Sequence, residues 1–390
     1  MNEKKIHKVS TLVNELPPSG IRAFFDLVLG MDDVISLGVG EPDFATPWHI
    51  CEAAVFALEN GYTSYTSNRG LKDLLEQIAV YLKKERDIKY NPEDEILITV
   101  GVSEAMDLVM RAILDSGDEV IIPEPCYVSY IPTVKLAGGT AVILETWELP
   151  GFKVTAESIE RLITSKTRAI VLNYPSNPTG ASYNKKELES IAEVIKKNDI
   201  LLISDEIYDH LSYDIPHVAM PSLSEMKERT IYLNGFSKGY AMTGFRLGYA
   251  CGPEKIISAM TKIHQYTMLC APIISQMAAI EALKNGLPEV KKMTREYNRR
   301  RRLLIAGLND CGLKCNLPEG AFYAFASVET TGMNGMEFAI KLLQQENVAV
   351  VPGEAFGAGG DKFVRMAYAA SLSDIEEALR RIKRFVGIND

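Results

Sequence analysis

A chain of 390 residues, 47% hydrophobic and 24% charged, has the composition of a soluble globular protein with room for roughly two to three domains. Its formal net charge of −9 excludes nucleic acid or an anionic membrane as the main partner, because both select basic surfaces. Small molecules are the expected ligands.

The six cysteines, Cys51, Cys126, Cys251, Cys270, Cys311 and Cys315, form neither a disulfide framework nor a C-x-x-C pair, and the scattered histidines give them no partner ligands. No metal site is expected. The opening stretch "MNEKKIHKVSTLVNELPPSG" lacks the apolar core of a signal peptide, and no apolar run approaches the ~18 residues of a membrane span. The expectation is a cytoplasmic protein with reduced thiols.

Taken in chain order, short β-rich runs recur at "EILITV" (95–100), "EVIIPE" (119–124), "TAVILE" (140–145), "RAIVLN" (168–173), "ILLIS" (200–204), "TIYLNG" (230–235) and "RLGYAC" (246–251). They are continuous in apolarity rather than alternating, as strands covered on both faces must be. Helical spacing lies between them: Leu108, Val109, Ala112 and Ile113 share a face after "GVSEA", as do Leu188, Ile191, Ala192 and Ile195 in "NKKELESIAEVIKKN". The alternation predicts an α/β fold with a mostly parallel seven-stranded sheet covered by helices.

Beyond about residue 285 the pattern changes to a long charged helix, strand-like "GAFYAFASV", a helix near 335–346, "NVAVVPG", "KFVRMAYA" and a terminal helix. That is the layout of a smaller α+β domain. The expected division is a large domain over 46–284, with 1–45 and 285–390 forming the small one. Two features are set aside. The run Arg299 to Arg302 is read as a solvated helix face, and "GEAFGAGGDK" (353–362) as a glycine-rich turn without P-loop spacing.

Ligands of open α/β sheets bind beyond the carboxyl ends of the strands. Here those ends read "NYPSNPTG", "SDEIY" and "FSK", so Asn177, Asp205, Tyr208, Ser237 and Lys238 should converge. With Arg246 eight residues after Lys238, and with "ISLGVGEPDF" and "FVRMAYA" at the two ends, the chain resembles the class I/II aminotransferases. These are fold type I enzymes using pyridoxal 5'-phosphate (PLP). The motifs match in order and spacing over most of the chain.

The resemblance implies a role for each residue. Lys238 is similar to the lysine that forms the Schiff base with PLP, and its amine, once freed, carries a proton between the substrate and the cofactor. Asp205 resembles the partner of the pyridine nitrogen. Tyr208 and Asn177 resemble the pair bonded to the cofactor's phenolic oxygen, and Tyr127 the aromatic stacked on its ring. For the phosphate the resemblance implies Arg246, Ser237 and the helix start at Gly101, Val102 and Ser103, whose free N–H groups favour an anion. Tyr65 resembles a tyrosine reaching the phosphate from a neighbouring subunit, which implies a homodimer with shared sites. Arg365, a cation in an apolar strand, would hold the substrate's α-carboxylate, and Gly40 would bring its backbone to the substrate. Read as residues alone, Lys238 and Arg365 also fit strand cations, Asp205 a helix N-cap, "NPTG" a simple turn and Tyr65 a loop aromatic.

Departures bear on the substrate. Ser103 stands where some aspartate-using members carry lysine, and "KIHQYTMLCAP" (262–272) supplies no arginine for a partner's site, only Lys262 and His264. Gly235 replaces a family serine, so the phosphate cup is expected to have one donor fewer. The leading expectation is ping-pong transamination between an L-amino acid and a 2-oxo acid such as 2-oxoglutarate, with aspartate, aromatic residues or alanine as donors. A PLP-dependent β/γ-elimination lyase and a PLP-binding regulator are the other readings. The segment up to about Ile21, with a hinge at Pro17-Pro18-Ser19-Gly20, is a candidate cover for the substrate.

Overall fold

The computed structural model describes residues 9–18, 20, 31, 33–149 and 151–387. Of the expected N-terminal cover, residues 1–8, 19 and 21 lie outside the described residues; the rest holds a short helix, Thr11–Glu15.

Seven strands form the central sheet: β2 (Ile96–Thr99), β3 (Glu119–Glu124), β4 (Thr140–Glu145), β5 (Thr167–Asn173), β6 (Leu201–Asp205), β7 (Thr230–Gly235) and β8 (Gly248–Cys251), preceded in the chain by β1 (Ile35–Ser36). Their order is β2-β8-β7-β6-β5-β3-β4. Only β8 runs against the rest, pairing antiparallel with both β2 and β7. The continuous apolarity has the expected cause. Val120, Ile122 and Val171 point to the face covered by helices Gly101–Ile113 and Glu254–Thr267, while Ile121, Ile170 and Leu172 point to the face covered by helix Lys185–Asn198. Asn184 starts that last helix with a capping box, its side chain accepting from the N–H groups of Lys186 and Glu187 while Glu187 reaches back.

The C-terminal part carries a three-stranded antiparallel sheet, β11-β12-β9, from β9 (Tyr323–Ser327), β11 (Val351–Pro352) and β12 (Phe363–Ala367). The remaining short strand, β10 (Val348–Ala349), pairs in parallel with β1, which draws the 35–36 segment to the C-terminal part. Helices Leu287–Asp310, Gly335–Glu346 and Leu372–Phe385 cover these strands.

Two expectations need correction. Arg246 does not open a strand: it ends a 3-10 turn, Thr243–Phe245, at φ 52°, and β8 begins two residues later. The arginine run is not a solvated face throughout. Arg300 and Arg301 are buried, Arg300 against Asp43 and Glu296 and Arg301 against Asp214, while Arg299 and Arg302 face outward. A helix 24 residues long in a two-layer packing must turn some of any four successive residues inward. Residues 353–360 form the expected turns, as two short 3-10 segments.

Candidate active site

Strand register assembles the site. Gly248, at the start of β8, lies opposite Thr99 and Gly235, the last residues of β2 and β7. The loops at Gly101, at Ser237-Lys238 and at Arg246 therefore leave the same edge of the sheet. Next along that edge Asn173 pairs with Asp205, and Asn173 Nδ2 donates to the Asp205 carbonyl at 2.9 Å. From the C-terminal part, β12 brings Arg365 and β9 brings Tyr323 over this edge.

Between them is a cavity of about 1000 Å³, on whose wall lie Gly40, Val102, Ser103, Tyr127, Asn177, Asp205, Tyr208, Ser237, Lys238, Arg246 and Arg365. All were expected from the sequence. Burial acts in opposite directions on the two central groups. It pushes the Lys238 amine down to about 8, with Arg365 and Arg246 adding to the fall while Glu41 and Asp205 oppose it. It pushes the Asp205 carboxyl up to about 6, although the Tyr130 hydroxyl donates to Oδ2 at 2.7 Å and the Ile207 N–H to Oδ1 at 3.2 Å. An amine that gives up its proton more readily than a solvated lysine and a carboxyl that gives up its proton less readily than a solvated aspartate thus face one cavity.

Arg365 is fully enclosed. Its η1 nitrogen donates to Asn177 Oδ1 at 2.9 Å and its η2 to the Gly38 carbonyl at 2.7 Å, while Nε has no partner among the described residues. A buried guanidinium with a free donor and no carboxylate partner among the described residues is built for an arriving anion. Lys238 Nζ donates to the Gly40 carbonyl at 2.6 Å, and a Cβ on Gly40 would stand 2.9 Å from the Tyr323 hydroxyl. Glycine is required there by the close approach of the opposite wall.

At the other end Arg246 donates to the Thr243 carbonyl at 3.0 Å and meets no carboxylate among the described residues. Gly101, at φ 78°, lies behind it, where a Cβ would come within 2.8 Å of Arg246 Nη2. The first turn of helix Gly101–Ile113 is pinned by Glu104, which accepts from the Val100 N–H and from His264. Arg246, the Ser237 hydroxyl and Val102 and Ser103 of the helix start line one cavity with Lys238 and Asp205, a donor set for an anion cradle. That donor set fits the phosphate, carbonyl and pyridine groups of the expected cofactor.

Tyr65 is not brought in: it is 82% exposed and off the cavity wall. Gly235 is off the wall too. A Cβ there would lie 2.9 Å from the Gly248 Cα, so the glycine answers the packing of β7 on β8 rather than the anion cradle. Sequence reasoning missed Tyr130, Asn173, Glu41 and Tyr323. Tyr130 follows Tyr127 at three-residue spacing, a signal that was available, whereas Tyr323 is indistinguishable from a strand aromatic in "GAFYAF".

The family model for class I and II aminotransferases matches residues 32–382. The chain is 52% identical over 378 residues to the putative aminotransferase YugH of Bacillus subtilis (strain 168), spanning 97% of this chain and 98% of that protein. It is 45% identical over 370 residues to an aspartate aminotransferase of Pyrococcus abyssi, spanning 94% and 95%. An aromatic aminotransferase structure from Pyrococcus horikoshii OT3 superposes with a TM-score of 0.89 at 44% identity, over 94% of this chain and 98% of that one. The chain therefore belongs to the class I and II aminotransferases. It is a PLP-dependent enzyme that transfers amino groups.

Proposed function

We propose that this aminotransferase works in the cavity around Lys238, on an L-amino acid and 2-oxoglutarate in alternating half-reactions. The observation that carries the reading is the meeting of Lys238, Asp205 and Arg365 on one cavity wall. When bound, PLP supplies a carbonyl carbon that takes up an amine and a protonated ring that draws electrons from it. Lys238 would hold that carbon, and its amine would move the proton at the substrate's α-carbon. Asp205 keeps the ring nitrogen protonated. Tyr208 and Asn177 would hold the phenolic oxygen, Tyr127 would cover the ring, and Arg246, Ser237, Ser103 and the Gly101 and Val102 N–H groups would hold the phosphate. Arg365 orients the α-carboxylate, and Gly40 leaves room for it.

Three cations line the cavity among the described residues, Lys238, Arg246 and Arg365, and each has a role above. None is left for a second substrate carboxylate on this chain. Val39, Val102, Met106 and Val128 supply apolar wall instead. The apolar wall favours the uncharged donors, aromatic residues and alanine, over aspartate, and leaves the distal carboxylate of 2-oxoglutarate to hydrogen-bond donors or to the partner subunit. Rates with phenylalanine, tyrosine, alanine and aspartate against 2-oxoglutarate test it; a kcat/KM highest for aspartate would contradict it. Release of pyruvate and ammonia without an oxo acid would point to elimination instead.

We further infer a homodimer in the cytoplasm. Trp48, Phe56, Tyr62, Tyr65, Tyr266 and Met268 are exposed apolar side chains, and the cysteines are free thiols. The division into 46–284 and 1–45 with 285–390 is consistent with the pairing of β1 and β10. Helix Thr11–Glu15 packs against helix Tyr130–Leu136, which supports the N-terminal segment as a cover.

A further inference from the structure

We propose that Tyr323 is a positioning residue that couples the carboxylate-binding arginine to the hydroxyl of Tyr208. The inference rests on the roles given above to Arg365 and Tyr208, and goes beyond them by assigning a side chain that those roles do not include.

Tyr323 is buried at the first position of β9, on the cavity wall. Its hydroxyl shares a hydrogen bond of 2.8 Å with that of Tyr208, and the two rings meet edge to face at 77°. The guanidinium carbon of Arg365 lies 4.5 Å from the centre of the Tyr323 ring and 4.8 Å from that of Phe356. The Tyr323 ring therefore packs against the guanidinium, together with that of Phe356, while its oxygen bonds to the oxygen of Tyr208. The pair also spans the cavity, since Tyr208 follows β6 and Tyr323 belongs to the C-terminal sheet.

The two parts of the side chain act separately. Two hydroxyls sharing one hydrogen bond have one donor and one acceptor. For Tyr208 to give its proton to a cofactor oxygen, Tyr323 must be the donor to Tyr208, and a chain of such bonds polarises along its length. The oxygen of Tyr323 thus strengthens the donation by Tyr208. Its ring, stacked on a guanidinium with a free Nε, holds the plane in which a carboxylate is received.

The test uses the PLP-loaded enzyme with two readouts besides turnover. One is the pH midpoint at which the visible band of the lysine-bound cofactor changes; the other is the affinity for 3-phenylpropionate, an acid without an amine, measured by calorimetry. Tyr323→Phe keeps the ring. It should raise the midpoint by about half a pH unit or more and leave the acid's Kd within about twofold. Tyr323→Leu removes both parts and should also weaken the acid about tenfold or more. Tyr208→Phe and Arg365→Lys are the controls for the underlying roles. If Tyr208→Phe moves the midpoint and Tyr323→Phe does not, the coupling is refuted while the role of Tyr208 stands. If neither moves it, the role of Tyr208 falls and the inference with it. Should Tyr323→Leu bind the acid as the native enzyme does while Arg365→Lys loses it, the ring does not orient the arginine and the proposal is overturned.

Discussion

Lys238 and Asp205 show how one buried environment prepares two opposite groups. Desolvation disfavours whichever form is charged, so it lowers the amine to about 8 and raises the carboxyl to about 6. For the lysine, the neutral amine is the nucleophile. Recombination of the cofactor-free protein with PLP should therefore accelerate as pH rises through about 8, and a midpoint near the ordinary 10.5 would show the amine to be solvated. Lys238→Ala should lower turnover by at least ~10³-fold. For the aspartate the sign is reversed. A carboxyl whose folded pKa is raised makes the native state bind the proton more tightly than the unfolded chain, so stability falls as pH rises from about 4 to about 6. In the cofactor-free protein, Asp205→Asn should then add about 2–3 kcal/mol of stability at pH 8 and little at pH 4, read by denaturant titration. The same change should reduce turnover by two or more orders of magnitude in the loaded enzyme. Loss of stability at pH 8 would mean that the carboxylate is already compensated by its neighbours.

At the scale of elements, the strand ends and the segments that follow them decide where chemistry gathers. The strand positions were readable because a doubly covered sheet demands unbroken apolar runs, and "SDEIY", "SNPTG" and "FSK" stand out as polar clusters just after them. What could not be read is what depends on contact between distant segments. The hydroxyl pair of Tyr208 and Tyr323 joins residues 115 apart in sequence, and the inward turn of Arg300 and Arg301 depends on Asp43 and Asp214 lying opposite. Arg246 misled for a local reason: an apolar run beside it suggested strand, whereas it occupies a left-handed turn that aims its side chain at the start of helix Gly101–Ile113. Gly101→Ala tests this junction. The new methyl would press on Arg246 at a positive φ, and should weaken PLP binding about tenfold or more while lowering the Tm by a few degrees. Unchanged affinity would remove Arg246 and the helix start from the phosphate site.

For the whole molecule, the exposed Tyr65 is the informative residue, because a side chain assigned to the phosphate lies off the cavity of its own chain. Hybrid dimers resolve this. A Lys238→Ala subunit paired with a Tyr65→Ala subunit contains one site with both native residues only if Tyr65 serves the neighbouring cavity. Mixing the two inactive or weakened variants under exchange conditions should restore a substantial part of native activity. No recovery, with exchange shown by mass, would place Tyr65 outside the partner's site. In the same way Phe56→Asp should shift the sedimenting species from dimer to monomer, since a charge on that apolar face opposes its burial.

Every role given above depends on Lys238 binding the cofactor in a cavity that strips amino groups from amino acids. That binding is tested most directly by following the visible absorption of the purified, PLP-loaded protein as phenylalanine is added without any oxo acid, and then 2-oxoglutarate. The account predicts that the band of the lysine-bound cofactor disappears with the amino acid, returns with the oxo acid, and is absent from Lys238→Ala. A band that persists through excess of every amino acid tried, or one that survives the loss of Lys238, would contradict it.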